Sequence, residues 1–259
     1  MYVANLWTQA DPALRLQLAG DALLHTDLEI VVGWLEQQGL TVATPPQKLR
    51  PGAIAIARAL CLNPPSTDRL NAIAERAMEA GRSDLAAVLH ASLETVDGNR
   101  DDPVLDRDLL QQTVGRRVSQ ARSGAPDTLA RLVLDDEPRV LEALLANPRT
   151  TITHVLRLAT RRPSPVGAMP HLLAHSQWSA NYSVQRSIAR NETIAPRAVL
   201  AMTLLLNPTD LAAVAEDRKA LPAQRRIARF RQLTAAGAGP EPAPPNPVAI
   251  QLDPPDFDL

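Results

Sequence analysis

Cysteine and aromatic residues are scarce in this chain of 259 residues. The single cysteine, Cys61, cannot form a disulfide within the chain, and a zinc or iron–sulfur site would need further ligands near it. Aromatic residues make up only 3%, so the core has to be built from Leu, Ala, Val and Ile. Alanine and leucine favour helices, and the β-branched runs typical of strands are nearly absent. We therefore predict an all-α fold.

The chain also has little net charge and no long hydrophobic run. Its formal charge of -1 argues against a dedicated nucleic-acid binder, which usually carries a strongly basic balance. The start, MYVANLWTQADPALR, has no basic segment followed by an apolar one, and no run approaches about 18 apolar residues. We predict a cytoplasmic protein without a membrane partner.

Motifs for catalysis and cofactor binding are missing as well. The sequence has no G-x-S-x-G elbow, no GxxxxGK[ST] phosphate loop, no dinucleotide fingerprint and no paired-cysteine metal site. Asp97–Asp108 matches a calcium loop in part, but Asp102 replaces the turn glycine and Asp108 the bidentate glutamate, which favours an exposed acidic loop. We predict no enzymatic activity, no cofactor and no metal site.

What the sequence does have is a repeated phrase: a leucine-rich helix end, then Asn-Pro or a close variant, then a short polar turn. Repeated stops and restarts of this kind indicate stacked helix pairs that bury their apolar faces against their neighbours. The phrase reads ALCLNPPST at Ala59–Thr67, ALLANPRTT at Ala143–Thr151, SIARNETIAP at Ser187–Pro196 and TLLLNPTD at Thr203–Asp210.

The spacing of the restart points gives a repeat length. Asn63, Asp102, Asn147 and Asn191 are separated by 39, 45 and 44 residues. A period near 40–47 residues, with two or three helices in each unit, is typical of HEAT and armadillo arrays. The sequence therefore predicts helix pairs repeated about every 44 residues.

Two segments carry a resemblance to a known family. Asn147–Arg161 and Asn191–Leu206 resemble HEAT-like repeats, in particular the leucine-rich variant units of bacterial proteins. The resemblance implies a right-handed α-solenoid of stacked helix pairs in a bacterial protein. Proteins with leucine-rich variant units can carry an N-terminal Fe–S cluster, but the cysteines for it are missing here, so no cofactor is implied.

The chain divides into three predicted parts. Residues 1–62 fit the repeat poorly and are expected to form an N-terminal helical cap, whereas residues 63–236 form the helical repeats. Residues 237–259 hold seven of the 23 prolines and no Lys or Arg. Burial cannot offset the ordering entropy of such a segment, so we expect a disordered, Pro-rich, acidic tail.

His171, His175, Trp178 and Tyr182 form the first candidate site. Their spacing of four, seven and eleven residues from His171 would place them on one face of a continuous helix as a recognition surface for a partner. The alternative is that the rings pack between neighbouring repeats, and a helix break within Ser176–Ser179 would separate the four side chains.

A basic segment and the acidic tail form the second candidate. Arg225 and Arg229 share a helix face and Arg226 lies about 100° away, although a single basic helix is usually a solvated face. The tail has a charge of -4 and the remainder +3, and apolar anchors such as Leu252 and Phe257 stand between its acids. These features are typical of a short linear motif that docks in cis or is offered to a partner.

The leading functional prediction is a non-catalytic scaffold or adaptor that binds a protein or peptide, because a solenoid surface needs no catalytic residue. The alternative is a HEAT-like nucleic-acid-binding protein or DNA glycosylase, which would hold duplex DNA in a basic concave face. An inner surface lined by Arg157, Arg161 and Arg162 together with the basic segment would favour DNA, whereas an apolar and mixed surface would favour the scaffold.

Overall fold

A computed structural model describes residues 9–35, 50–90, 107–165 and 167–235. Over those ranges every regular element is an α-helix and no strand occurs, which confirms the predicted all-α class. In chain order the helices are α1 (Pro12–His25), α2 (Leu28–Leu35), α3 (Arg50–Leu62), α4 (Thr67–Glu79), α5 (Ser83–His90), α6 (Arg107–Leu110), α7 (Val114–Ser123), α8 (Pro126–Leu132), α9 (Pro138–Ala146), α10 (Ile152–Thr160), α11 (Ala168–Ala174), α12 (Ser176–Ala180), α13 (Tyr182–Ala189), α14 (Pro196–Thr203), α15 (Pro208–Glu216) and α16 (Pro222–Ala235).

The helix starts follow from local capping chemistry. At the start of α1, the Asp11 carboxylate accepts a hydrogen bond of 2.8 Å from the amide two residues later. Ser66 and Asn207 accept bonds of 3.3 and 2.8 Å from the amide three residues later, at the starts of α4 and α15. Such caps pair amides that have no partner within the helix, so these starts can be located from sequence alone.

The end of α4 requires a glycine. Gly81 has a φ of 75°, in the left-handed region that side chains with a Cβ rarely adopt. The amide of Arg82 donates to the carbonyl of Ala77 over 2.7 Å, and that of Gly81 to Met78 over 2.9 Å. These two bonds form a Schellman motif, which closes the helix by pairing its last carbonyls.

Consecutive helix pairs recur at a shorter spacing than the sequence predicts. The starts of α8 and α10 are 26 residues apart, as are those of α13 and α15, and of α14 and α16. The 44-residue spacing separates α9 from α13 and α10 from α14, because α11 and α12 lie between those pairs. The helix pair thus has about 26 residues, fewer than the 40–47 of HEAT and armadillo units.

Helix α3 lies at the centre of the packing. Its residues 52–60 are all buried, and it contacts α1, α11, α12 and α14. Ala53, Ala55, Ala57 and Ala59 supply small side chains that let these helices approach it closely. A helix that is apolar on all sides is buried on all sides, and residues 52–60 of α3 follow this rule. Arg58 is the one charged residue among them, and it is buried as well.

The contacts of α3 cross the predicted boundary between a cap and the repeats. In a solenoid each unit contacts only its neighbours. Here α3 packs against helices more than 100 residues later in the chain, and α5 packs against α14 and α16. The N-terminal helices therefore lie beside the later helix pairs, an arrangement that a simple stack of neighbours does not produce.

Arginine side chains bind many helix ends to neighbouring helices. Each donates to backbone carbonyls at or just after the end of another helix, where carbonyls lack partners within their own helix. The pairs are Arg58 with Leu173 and Ala174, Arg69 with Leu23 and Thr26, Arg149 with Ser123, Arg157 with Ala130, Arg161 with Leu134 and Asp135, Arg162 with Arg190, and Arg231 with Leu204. Much of the basic content of this chain is therefore structural.

Two asparagines of the repeated phrase join helices from the inside. Asn147 and Asn191 are 4% and 0% exposed. The amide nitrogen of Asn147 donates to the carbonyl of Ala121 over 2.7 Å, and that of Asn191 donates to the carbonyls of Ala159 and Arg161, both over 2.9 Å. At these two positions the phrase marks a buried joint between helix pairs as well as a helix end.

Candidate binding groove between α7 and α9

An open groove of about 540 Å³ runs between α7 and α9, and we name it the α7–α9 groove. Val114 and Val118 line it from α7, and Ala143 and Ala146 line it from α9. The groove forms because the facing side chains are small; Gly115, which also lines it, has none. Its volume lies in the range of sites that hold a small ligand or an anchoring side chain.

Charged side chains stand at the rim of the groove. Arg122 is exposed, and its side chain has no hydrogen bond or ion pair with any other residue in the described ranges. Arg139 is also exposed, with its Nε 2.8 Å from a carboxylate oxygen of Glu137, and its hydrogen bond holds the pKa of Glu137 below the ordinary value. Glu142 adds one exposed carboxylate. Arg122 is therefore the rim cation that is available for a ligand.

Charge is distributed unevenly along the chain. Residues 107–235 contain 19 Arg and Lys but 10 Asp and Glu, a net charge of +9. Residues 1–106 have a net charge of -6 and residues 236–259 one of -4, so the near-neutral total hides this separation. The α7–α9 groove lies in the basic part, and that part attracts anionic segments over several ångströms.

Three of the four residues predicted as one stripe lie on three different short helices, and the fourth, His175, lies between two of these helices. His171 belongs to α11, Trp178 to α12, and Tyr182 begins α13. The backbone is extended at His175, between α11 and α12, and again at Asn181, between α12 and α13. The prediction of a common helix face is wrong, and the break that was its alternative is what forms. Pro170 lies in the first turn of α11, where it needs no kink.

Trp178 is buried and is not presented for recognition. It is 7% exposed, its indole Nε1 donates to the carbonyl of Leu145 over 3.0 Å, and its ring centre lies 5.8 Å from that of His175. Burial, and to a lesser extent the nearby charge of Arg58, lowers the pKa of His175 below its ordinary value. These rings pack between neighbouring helices, as large aromatic side chains usually do.

Tyr182 belongs to a polar network at the turn before α15. Its hydroxyl donates to Asp210 and accepts the amide of Asn207 over 3.2 Å, while Nε of Arg186 lies 2.9 Å from Asp210. The Arg50 guanidinium stands 5.3 Å from the ring centre. Burial, followed by the bond to Asp210, raises the pKa of Tyr182 to about 12. The Tyr182 hydroxyl therefore keeps its proton at neutral pH and donates it to Asp210, and this hydrogen bond joins α13 to α15.

The predicted arginines of α16 lie at the surface. Arg226 and Arg229 are exposed and Arg225 is partly buried, and none of the three forms an ion pair within the described part of the chain. The interior cation of this helix is Arg231, which is 0% exposed and donates to the carbonyl of Leu204. The sequence pattern does not distinguish it from its neighbours, because all four side chains belong to one basic segment.

Two predicted features fall outside the residues that the structure describes. Leu252 and Phe257 belong to residues 236–259, and most of the calcium-loop pattern belongs to residues 91–106. The last residue of that pattern, Asp108, is exposed on α6 and lies 3.5 Å from Arg131.

Two kinds of feature are absent from the described residues. Among them no group of three or more His, Cys, Asp or Glu side chains could hold a metal ion. No helix in those ranges is both long enough and apolar enough to cross a membrane. Burial raises the pKa of the Cys61 thiol to about 12, so this group stays protonated at neutral pH.

Comparison with known proteins does not supply a function. No protein-family model, no curated protein and no solved structure matches the chain.

None of the candidate site residues predicted from sequence lines the α7–α9 groove, although Ala143, Ala146, Asn147 and Pro148 of the repeated phrase do. Its sequence signal is a pair of valines four residues apart on α7 and a pair of alanines three residues apart on α9. Such spacing is equally typical of a core-facing helix side. Only the packing of the two helices shows that these side chains line an open groove.

Proposed function

We propose that this protein is a non-catalytic scaffold or adaptor that binds an extended segment of a partner protein carrying both apolar and acidic side chains. The α7–α9 groove is the observation that carries the proposal, since it combines an apolar floor with the unpaired cation Arg122. Grooves between packed helices bind peptides by burying apolar anchors, and an arginine at the rim pairs with carboxylates. The resemblance to HEAT-like and leucine-rich variant repeats is compatible with this role.

The charge of the surrounding helices supports an acidic partner. The net charge of +9 over residues 107–235 favours the approach of acidic segments and disfavours basic ones. Apolar contacts in the groove then supply affinity, because exposed ion pairs alone contribute about 0–1 kcal/mol each.

The test is a binding assay that uses two sets of short synthetic peptides. One set alternates leucine with aspartate or glutamate, and the other alternates leucine with lysine. Fluorescence anisotropy measures their dissociation constants with the full chain, with Arg122→Glu and with Arg226→Glu. Arg226 is also an exposed arginine, on α16, and the two variants change the net charge by the same amount.

We expect the acidic set to bind the full chain and the basic set not to. Arg122→Glu should weaken binding about tenfold, which corresponds to about 1.4 kcal/mol, and Arg226→Glu less than about twofold. Equal losses in the two variants would mean that general charge, and not the groove, attracts the peptides. Absence of binding by every peptide would refute the proposed function.

Nucleic-acid binding is a second candidate, and the charge of +9 over residues 107–235 is the observation in its favour. The arginines that would favour it are engaged elsewhere: Arg157 and Arg161 donate to carbonyls of earlier helices, and Arg162 pairs with Glu192 over 3.0 Å. A duplex-binding assay at several salt concentrations decides this candidate. Binding that weakens steeply with salt and is lost in Arg225→Glu/Arg226→Glu/Arg229→Glu would support it.

A further inference from the structure

The C-terminal segment of the chain has the chemistry that the α7–α9 groove requires. In the sequence VAIQLDPPDFDL, the apolar residues Val248, Ile250 and Leu252 alternate with other residues. In an extended peptide, side chains two residues apart lie on the same side. Four prolines between positions 245 and 255 disfavour a helix here, and three aspartates follow the apolar group.

Charge complementarity favours the same pairing. Residues 236–259 contain four acidic residues and no Lys or Arg, whereas residues 107–235 have a net charge of +9. The rim residue Arg122 has no carboxylate partner among the described residues, and a carboxylate after the apolar group would supply one.

We propose that residues 248–258 dock in cis in the α7–α9 groove, with the alternating apolar side chains on its floor and the aspartates at Arg122. This inference rests on the proposed function, because it assigns an occupant to the same groove. The segment then competes with any partner of similar chemistry, so a partner has to displace it in order to bind.

The surface of α16 is the other basic candidate, and the groove is the better receptor. Arg226 and Arg229 offer exposed charge, which is screened by salt and adds little affinity. The apolar alternation of the segment would remain exposed on such a face. The groove instead accepts both the apolar and the acidic side chains.

The length of the connecting chain sets how far the C-terminal segment can reach. Twelve residues separate the last described residue, Ala235, from Val248, and the connection spans up to about 43 Å when extended. A connection that reaches the groove gives an effective concentration on the order of 1 mM. A segment that binds with a dissociation constant of about 0.1 mM would therefore occupy the groove about nine-tenths of the time.

The experiment uses the full chain throughout and a fluorescein-labelled peptide of residues 246–259 as probe. The tail variant is Ile250→Ser/Leu252→Ser, and its matched control is Ala249→Ser/Gln251→Ser, which changes the residues on the opposite side of the alternation. The groove variant adds Arg122→Glu to the tail variant, and its charge-matched control adds Arg226→Glu instead. Anisotropy gives the dissociation constant of the probe for each protein.

We expect the tail variant to bind the probe about tenfold more tightly than the wild-type chain, because the attached competitor is lost. The matched control should behave as wild type, and the groove variant should lose the gain while its charge-matched control keeps it. Equal binding by wild type and tail variant would overturn docking in cis. Sedimentation showing dimers that dissociate in the tail variant would overturn it too, by placing the segment on a second copy.

The two proposals fail in different ways. If acidic and apolar peptides of other sequence bind at Arg122 but the 246–259 probe binds no form of the chain, the tail inference fails and the scaffold function stands. If neither kind of peptide binds any form, both proposals fail.

Discussion

Replacing Asn191 by alanine tests the joint between helix pairs. The side chain is 0% exposed and makes four hydrogen bonds. Its Nδ2 donates to the carbonyls of Ala159 and Arg161, and its Oδ1 accepts the amide of Thr193 over 3.1 Å and the hydroxyl of the same residue over 2.7 Å. Asn191→Ala leaves two carbonyls, one amide and one hydroxyl without these partners around a buried position.

The expected loss follows from the cost of unpaired polar groups. Each buried polar group left without a partner costs about 1–3 kcal/mol. A carbonyl oxygen has two lone pairs and is neutral, so its loss of one hydrogen bond lies at the lower end of this range. We expect a total decrease of about 3–4 kcal/mol in the free energy of unfolding. For a chain of this size, that decrease lowers Tm by about 6–15 °C.

Urea unfolding followed by far-ultraviolet circular dichroism measures the change. Asn63 is the matched control, since it stands at the same place in the repeated phrase but is exposed. Asn63→Ala should change stability by less than about 0.5 kcal/mol. Equal losses of stability in the two variants would show that the asparagine of the repeated phrase only ends its own helix. That result would refute the proposal that Asn191 joins two helix pairs.

Four further substitutions test the end of α4, a glycine within α1 and the two side chains whose pKa is shifted. Gly81→Ala should lower the free energy of unfolding by about 1 kcal/mol, because the φ of this residue is 75°. Gly20→Ala should raise it by about 0.5–1 kcal/mol, because the added Cβ meets no atom within 4 Å and alanine favours the helix. The midpoints of urea unfolding check both changes. The fold favours the protonated phenol of Tyr182, with a pKa of about 12 against 10.0, so stability should fall as pH rises from about 10 to 12, and Tyr182→Phe should reduce that slope. A slope unchanged by the substitution would contradict this assignment. The fold also favours neutral His175, whose pKa is lowered, so stability should decrease as pH falls below about 6.5, and His175→Gln should flatten this decrease in the same assay.

Helix ends could be predicted from the sequence because their chemistry is local. Asp11 followed by Pro12, Ser66, and Asn207 followed by Pro208 each pair backbone amides within three residues, so the flanking sequence contains all the information needed. The end of α4 at Gly81 could be predicted in the same way, since a residue in the left-handed conformation at a helix end is usually glycine.

Features that depend on distant residues could not be predicted. The 44-residue spacing recurs between α9 and α13 and between α10 and α14, but the sequence does not reveal that α11 and α12 lie between these helix pairs. The prediction that His171, His175, Trp178 and Tyr182 share one helix face was wrong, because extended backbone at His175 and Asn181 interrupts the helix. The residues at these two positions are compatible with a continuous helix, so the sequence did not show the breaks. The groove arises from the packing of α7 against α9, which no spacing within either helix reveals.

The central position of α3 has a consequence for synthesis on the ribosome. Arg58 binds the carbonyl of Leu173, 115 residues later, and Leu60 accepts a bond from Arg197, 137 residues later. At about 5–20 residues per second, the first of these partners is made about 6–23 s after α3. During that interval α1 can cover one side of α3, while its other apolar sides await helices that have not yet been translated. The helix around which the fold is organised is thus among the first parts made and among the last to be enclosed.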